Sequence, residues 1–95
     1  MRKVQLNGRK MDTREHAHRH LQKQLRLPAY YGANLDALWD LLSTCCEAVQ
    51  VTLTNRDDLV LALGDYGEKL IQVFKDAERE NGRLRFRIMA GRKVS

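Results

Sequence analysis

The sequence predicts an α/β domain in which a three-stranded parallel sheet packs with about four helices. Two observations carry this. Three short runs, "KVQLN" (3–7), "VQVTLT" (49–54) and "RLRFRIM" (83–89), alternate apolar with polar residues as half-buried strands do. The long stretches between them have helical rather than hairpin character, and strands joined by helical crossovers run parallel. At 95 residues and 43% hydrophobic content, the chain is sized for one domain and one modest core, spanning 1–95 with 91–95 as a loose tail.

Each element has a local cause. The first strand stops at Asn7-Gly8, a turn signal. Asp12 followed three residues later by Glu15 reads as the start of a first helix, whose buried stripe is Ala17, Leu21 and Leu25. Pro28 ends it, because the residue before a proline is pushed out of the α region. Asn34 is a good N-cap for a second helix with Leu35, Leu38 and Leu42 on one side. After the second strand, Asn55 is placed to cap a short helix that Gly64 ends. Asp65 and Glu68 open a longer one with Leu70, Val73, Phe74 and Ala77 as its stripe and Gly82 as its C-terminal glycine. In the last strand Leu84, Phe86 and Ile88 point inward while the arginines face water.

The net charge of +5 conceals an uneven distribution. Residues 1–26 hold eight Lys/Arg against two acids, and residues 82–95 hold five against none. Residues 27–50 carry Asp36, Asp40 and Glu47 with no Lys or Arg, and 51–81 hold seven acids against four bases. The ends are basic and the middle acidic, which allows two charged faces. The opening "MRKVQLNGRK" lacks the apolar core of a secretory signal, and no apolar run is long enough to span a bilayer. Adjacent Cys45 and Cys46 cannot frame loops with bridges and read as reduced, mostly buried thiols. A cytoplasmic location is expected.

The chemistry concentrates in "LPAYYGANLDALWDLL", residues 27–42. Asp36 and Asp40 lie four apart on the second helix, so their side chains are neighbours, with Trp39 beside them. Like charges at this spacing cost a helix roughly 0.2–0.5 kcal/mol, partly recovered at Asp36 by the helix dipole. A solvated acidic face would account for the carboxylates alone. Tyr30, Tyr31 and Trp39 add large amphipathic rings beside them and a glycine, Gly32, which is the composition of a binding patch. Aromatics with carboxylates and no base suit a cationic groove such as a nuclease uses to hold phosphates.

The run LP-x-YYG-x-NLDALWD, followed by "LIQVFKDA" at 70–77, resembles the barstar family, intracellular inhibitors of barnase-type ribonucleases. The likeness extends from "VQLNG" through "RLRFRIM". It implies the same three-stranded parallel sheet with about four helices, no catalytic residue, no cofactor and no metal. It further implies one-to-one occlusion of a barnase-like ribonuclease or related toxin, with the second helix and its preceding loop entering the active site. Tyr30, Asn34, Asp36, Trp39 and Asp40 match the family's contact residues, and Gly32 and Leu35 belong to the same motif. Asp40 matches the aspartate that takes the place of a substrate phosphate, Asp36 the second acidic contact, and Tyr30 the ring covering the active-site histidine. Asp76 stands where the type member has glutamate, with its charge kept and its reach shorter. The chain departs from the type member in its positive net charge and in having Thr44 and Cys45 where an aromatic is frequent.

Other patterns compete. Arg83, Arg85 and Arg87, with Arg92, Lys93 and the N-terminal bases, could form a nucleic-acid patch, but no aromatic platform accompanies them. A solvated strand that discourages edge-to-edge aggregation explains them as well. His16 and His20 share a helix face, yet two imidazoles fall short of a metal site. Asp36 and Asp40 as a catalytic acid–base pair would lack a nucleophile, a metal and a closed pocket.

Overall fold

A computed structural model describes residues 1–89. Three strands, β1 (Arg2–Asn7), β2 (Val49–Thr54) and β3 (Leu84–Ile88), form one sheet in the order β1-β2-β3, parallel throughout. Between β1 and β2 run a 3-10 turn (Gly8–Lys10), α1 (Arg14–Leu25) and α2 (Leu35–Ser43). Between β2 and β3 run α3 (Arg56–Leu63) and α4 (Asp65–Glu80). The predicted α/β class, with three parallel strands and four helices, is the observed one. The tail 91–95, with Arg92 and Lys93, lies outside the described residues.

Register explains why the strands alternate so clearly. Val4, Val51 and Phe86 align across the sheet, as do Leu6, Leu53 and Ile88, and Val49 pairs with Leu84. These residues join the core with Leu21, Leu38, Leu59, Leu70 and Phe74 from the helices. The intervening residues, Lys3–Gln50–Arg85 and Gln5–Thr52–Arg87, align on the other face. Parallel sheets are usually covered on both sides. This one is covered on one, and its outer face is polar because water is its neighbour. Removing a large core residue such as Phe74, 2% exposed and stacked on Phe86 at 4.9 Å, would cost about 3–5 kcal/mol.

Several element ends differ from the sequence expectation by one residue or one partner. Thr13, not Asp12, is the N-cap of α1: its backbone is extended and its hydroxyl accepts from the His16 N–H. The Asp12 carboxylate is instead engaged with the His16 ring, 2.6 Å away. Asn55 precedes α3 but donates its side-chain amide to Asn7 Oδ1 at 2.7 Å rather than capping the helix. Its left-handed backbone, φ 55°, brings its carbonyl against Gly8, where a Cβ would lie 2.1 Å from the oxygen. That close approach, as much as the turn, is what Gly8 provides. Gly64, at φ 59°, separates α3 from α4 as expected.

Gly82 is not in the left-handed region; α4 ends at Asn81 in extended backbone. The buried Asn81 amide donates to Leu42 O and Cys45 O, both at 2.9 Å, and so ties α4 to the end of α2. Leu35 and Val73 are half-buried rather than at the centre of their stripes. Cys45 is half-buried and Cys46 exposed, both free thiols, so the expectation of two mostly buried thiols holds only in part. Among the described residues no helix is long and apolar enough to cross a membrane.

Candidate functional site: the Tyr30–Asp40 surface

The loop before α2 is held from both sides of Tyr31. Its N–H donates to Pro28 O at 3.0 Å, closing the turn in which Tyr30 stands outward, 83% exposed. The Tyr31 ring is buried, and its hydroxyl meets His18 Nδ1 at 2.6 Å. Tyr31 was expected in the contact patch with Tyr30; it lies underneath that patch instead. Ala33 then adopts φ 54°, a left-handed conformation unusual for a residue with a side chain.

Asn34 ends the loop and begins α2. Its Oδ1 accepts from the Ala37 N–H at 2.8 Å and its Nδ2 donates to Gly32 O at 3.2 Å, so one side chain fixes both the turn and the helix start. Such a cap is worth about 1 kcal/mol. Gly32 sits where an added Cβ would come within 3.2 Å of that amide. Leu38 and Leu42 anchor the helix in the core, and Leu35 and Trp39 are half-buried against it.

With the apolar side so assigned, Asp36 and Asp40 are left exposed. Among the described residues neither carboxylate takes part in an ion pair or accepts a hydrogen bond. At Asp40 it is the backbone carbonyl that is used, accepting from the Thr44 hydroxyl at 2.6 Å to close the helix. Asp76 differs. It lies on α4, which packs against α2, and its Oδ1 accepts from Arg79 Nη2 at 2.6 Å and Gln72 Nε2 at 2.9 Å. Two of the three acids therefore present unpaired charge, and the third is already partnered.

His18 was missed by sequence reasoning, although its position three before Leu21 and seven before Leu25 places it on the inward stripe of α1. It is 3% exposed and bridges two phenols, Tyr31 at Nδ1 and Tyr66 of α4 at Nε2, each 2.6 Å away. A neutral imidazole has one donor and one acceptor nitrogen, so one tyrosine donates to the ring and the other accepts from it. Burial holds His18 below the ordinary histidine value and raises Tyr31 above the ordinary phenol range, with Tyr66 adding to the latter. Arg14 lies 4.2 Å over the Tyr66 ring and closes the assembly from outside. No sequence period singles out Tyr66.

The histidines considered for metal binding are occupied otherwise. His16 pairs with Asp12, and His20 Nε2 accepts from the Asn7 N–H at 3.1 Å. No cluster of three metal-ligating side chains occurs among the described residues. The last-strand arginines do face outward, on the open side of the sheet with Lys3, while Phe86 turns inward onto Phe74.

These features define a small α/β protein with two exposed, unpaired carboxylates on a capped helix, beside an exposed Tyr30 and a half-buried Trp39. Residues 1–90 match the family described as Barstar (barnase inhibitor). A protein of Bacillus subtilis (strain 168) named "Putative ribonuclease inhibitor YrdF" is 36% identical over 81 residues, covering 84% of this chain and 89% of that one. The chain belongs to the barstar family.

Proposed function

We propose that this protein inhibits a barnase-like ribonuclease, or a related toxin, by inserting α2 and the Tyr30–Asn34 loop into its active site as a one-to-one complex. The observation that carries the reading is the pair of exposed carboxylates, Asp36 and Asp40, left without any intramolecular partner among the described residues. An unpaired carboxylate facing water keeps its charge available for an arginine or lysine that would otherwise hold phosphate. Asp40 occupies the phosphate subsite and Asp36 makes the second charged contact, while Tyr30 and Trp39 cover the rim and exclude water. Gly32, Asn34 and Leu35 shape the loop and helix that present them, and Tyr31 supports the loop from below. Asp76 contributes less, because a partner cation must compete with Arg79. The protein acts as a cytoplasmic immunity factor, monomeric until it meets its target, with no catalytic role and no cofactor.

The rival reading, a nucleic-acid platform on the open sheet face, has cations at Lys3, Arg85 and Arg87 but no ring among the aligned outward residues on which a base could stack. One experiment separates the two. Added at equimolar ratio, the protein abolishes RNA cleavage by a barnase-like ribonuclease; Asp40→Ala weakens this by at least about a hundredfold, the scale of truncating a central charged contact. Arg85→Ala leaves inhibition unchanged. The reverse ranking would remove the inhibitor reading.

A further inference from the structure

One charged surface of the molecule has no part in the proposed inhibition. His16, Arg19, His20 and Lys23 recur at i, i+3, i+4 and i+7 on α1, and with Lys10 of the 3-10 turn they line a shallow, open cleft of about 200 Å³. All five lining residues are basic. Two are matched locally, Arg19 by Glu15 at 3.1 Å and His16 by Asp12 at 2.6 Å. Lys10 and Lys23 have no acidic partner among the described residues.

The chemistry of His20 makes this cleft more than a run of lysines. Its Nε2 accepts from the Asn7 N–H, so in the neutral ring the proton resides on Nδ1 and that nitrogen is a donor. Burial keeps the ring neutral, and the nearby Lys10 and Lys23 ammoniums act in the same direction. A neutral donor near two unpaired ammoniums in one cleft is suited to an oxyanion: it hydrogen-bonds an oxygen without needing to be charged. We infer that the Lys10–His20–Lys23 cleft seats a phosphate group, supplied either by the backbone of an RNA strand or by free phosphate.

The cleft is independent of the Tyr30–Asp40 surface. At about 100° per residue, His20 lies roughly 200° around α1 from His18, the residue that holds the Tyr31 loop. The stripe extends over seven residues, about 10 Å along the helix, longer than a single phosphate needs and compatible with successive phosphates of a strand.

The full chain is titrated separately with sodium phosphate and with a short fluorescent oligouridylate, following amide shifts and anisotropy. Phosphate-dependent shifts centred on Lys10, His16, His20 and Lys23 support the site. Saturation by phosphate that displaces the strand identifies the free anion as ligand; strand binding without competition by phosphate identifies the polymer. Lys10→Glu/Lys23→Glu lowers affinity by at least about tenfold and removes the salt dependence, which for two single-strand phosphates is about sevenfold between about 50 and 200 mM. Circular dichroism verifies that this variant is folded, and it inhibits ribonuclease as the wild type does, so failure of the cleft and failure of the inhibitor reading are told apart. Absence of shifts with both probes overturns the inference. So does a loss of binding in Arg85→Ala/Arg87→Ala that Lys10→Glu/Lys23→Glu does not reproduce.

Discussion

Replacing Tyr31 by phenylalanine removes one oxygen and nothing else, and the structure gives that change a definite cost. The hydroxyl meets His18 Nδ1 at 2.6 Å between two buried residues, Tyr31 at 9% exposure and His18 at 3%. Without it the ring nitrogen faces a site water reaches poorly, and an orphaned buried polar atom costs about 1–3 kcal/mol. The bond on the other side of the ring, to half-buried Tyr66, lies nearer solvent, so Tyr66→Phe should cost about 0.5–1.5 kcal/mol. Urea unfolding measures both. With a slope of about 1–3 kcal/mol per molar, Tyr31→Phe lowers the midpoint by roughly 1 M, and by more than Tyr66→Phe. The decisive measurement is the double-mutant cycle with His18→Leu. Once no nitrogen is left to satisfy, Tyr31→Phe becomes nearly neutral, giving a coupling above about 1 kcal/mol. Equal costs of Tyr31→Phe with and without His18 would refute the bridge.

Acid should destabilise the fold through His18 and His20, both held below the ordinary histidine value of 6.5, first by burial and at His20 also by Lys10 and Lys23. The unfolded chain binds these protons more readily, so their stabilising contribution is whole above pH 6.5 and declines as pH falls toward the folded values; a urea midpoint that stays flat or rises from about pH 7.5 to 5 would contradict this. Asn34→Ala should lose about 1 kcal/mol of stability and weaken inhibition, since it frees both the start of α2 and the Gly32 turn; calorimetry and cleavage assays read the two effects. Gly8→Ala should destabilise far more than an ordinary surface substitution, because its Cβ would meet the Asn55 carbonyl at 2.1 Å, and an unaltered melting temperature would show that this approach relaxes freely.

Strands and stripes were legible in the sequence for a reason specific to this fold. With one sheet face open to water, each strand had to alternate, so "VQVTLT" announced both its conformation and its inward side. Caps were less legible because two neighbours could each perform the role. Asp12 and Thr13 are both competent, and the choice was made by the His16 ring, which engages the carboxylate and leaves the hydroxyl to the helix. Asn55 was claimed by a long-range bond to Asn7, 48 residues away, that no local pattern reveals. At the site, Asp36, Trp39 and Asp40 could be placed on α2 from spacing alone. Two adjacent tyrosines could not be told apart by composition, and which of them turned inward depended on a buried histidine waiting in α1.

The acidic helix is held at both ends by neutral polar side chains, an exposed Asn34 and a buried Tyr31 and Asn81. At its start, Asn34 caps α2 while Tyr31 ties the preceding loop to His18 and, through it, to Tyr66 of α4. At its end, Asn81 of α4 takes the Leu42 and Cys45 carbonyls. Neither anchor uses a carboxylate. Had Asp36 or Asp40 been recruited to fix the helix, as Asp12 and Asp76 are recruited elsewhere, the charge would have been spent within the molecule. Because neutral groups do the fixing, both aspartates stay without ion-pair partners among the described residues, and an already ordered helix would lower the cost of the proposed binding. The same arrangement also explains how a chain with net charge +5 can present an acidic face. The cations of α1 and β3 are carried by other elements, α2 itself holds two aspartates and no base, and physiological salt largely screens exposed charges more than about 8 Å apart.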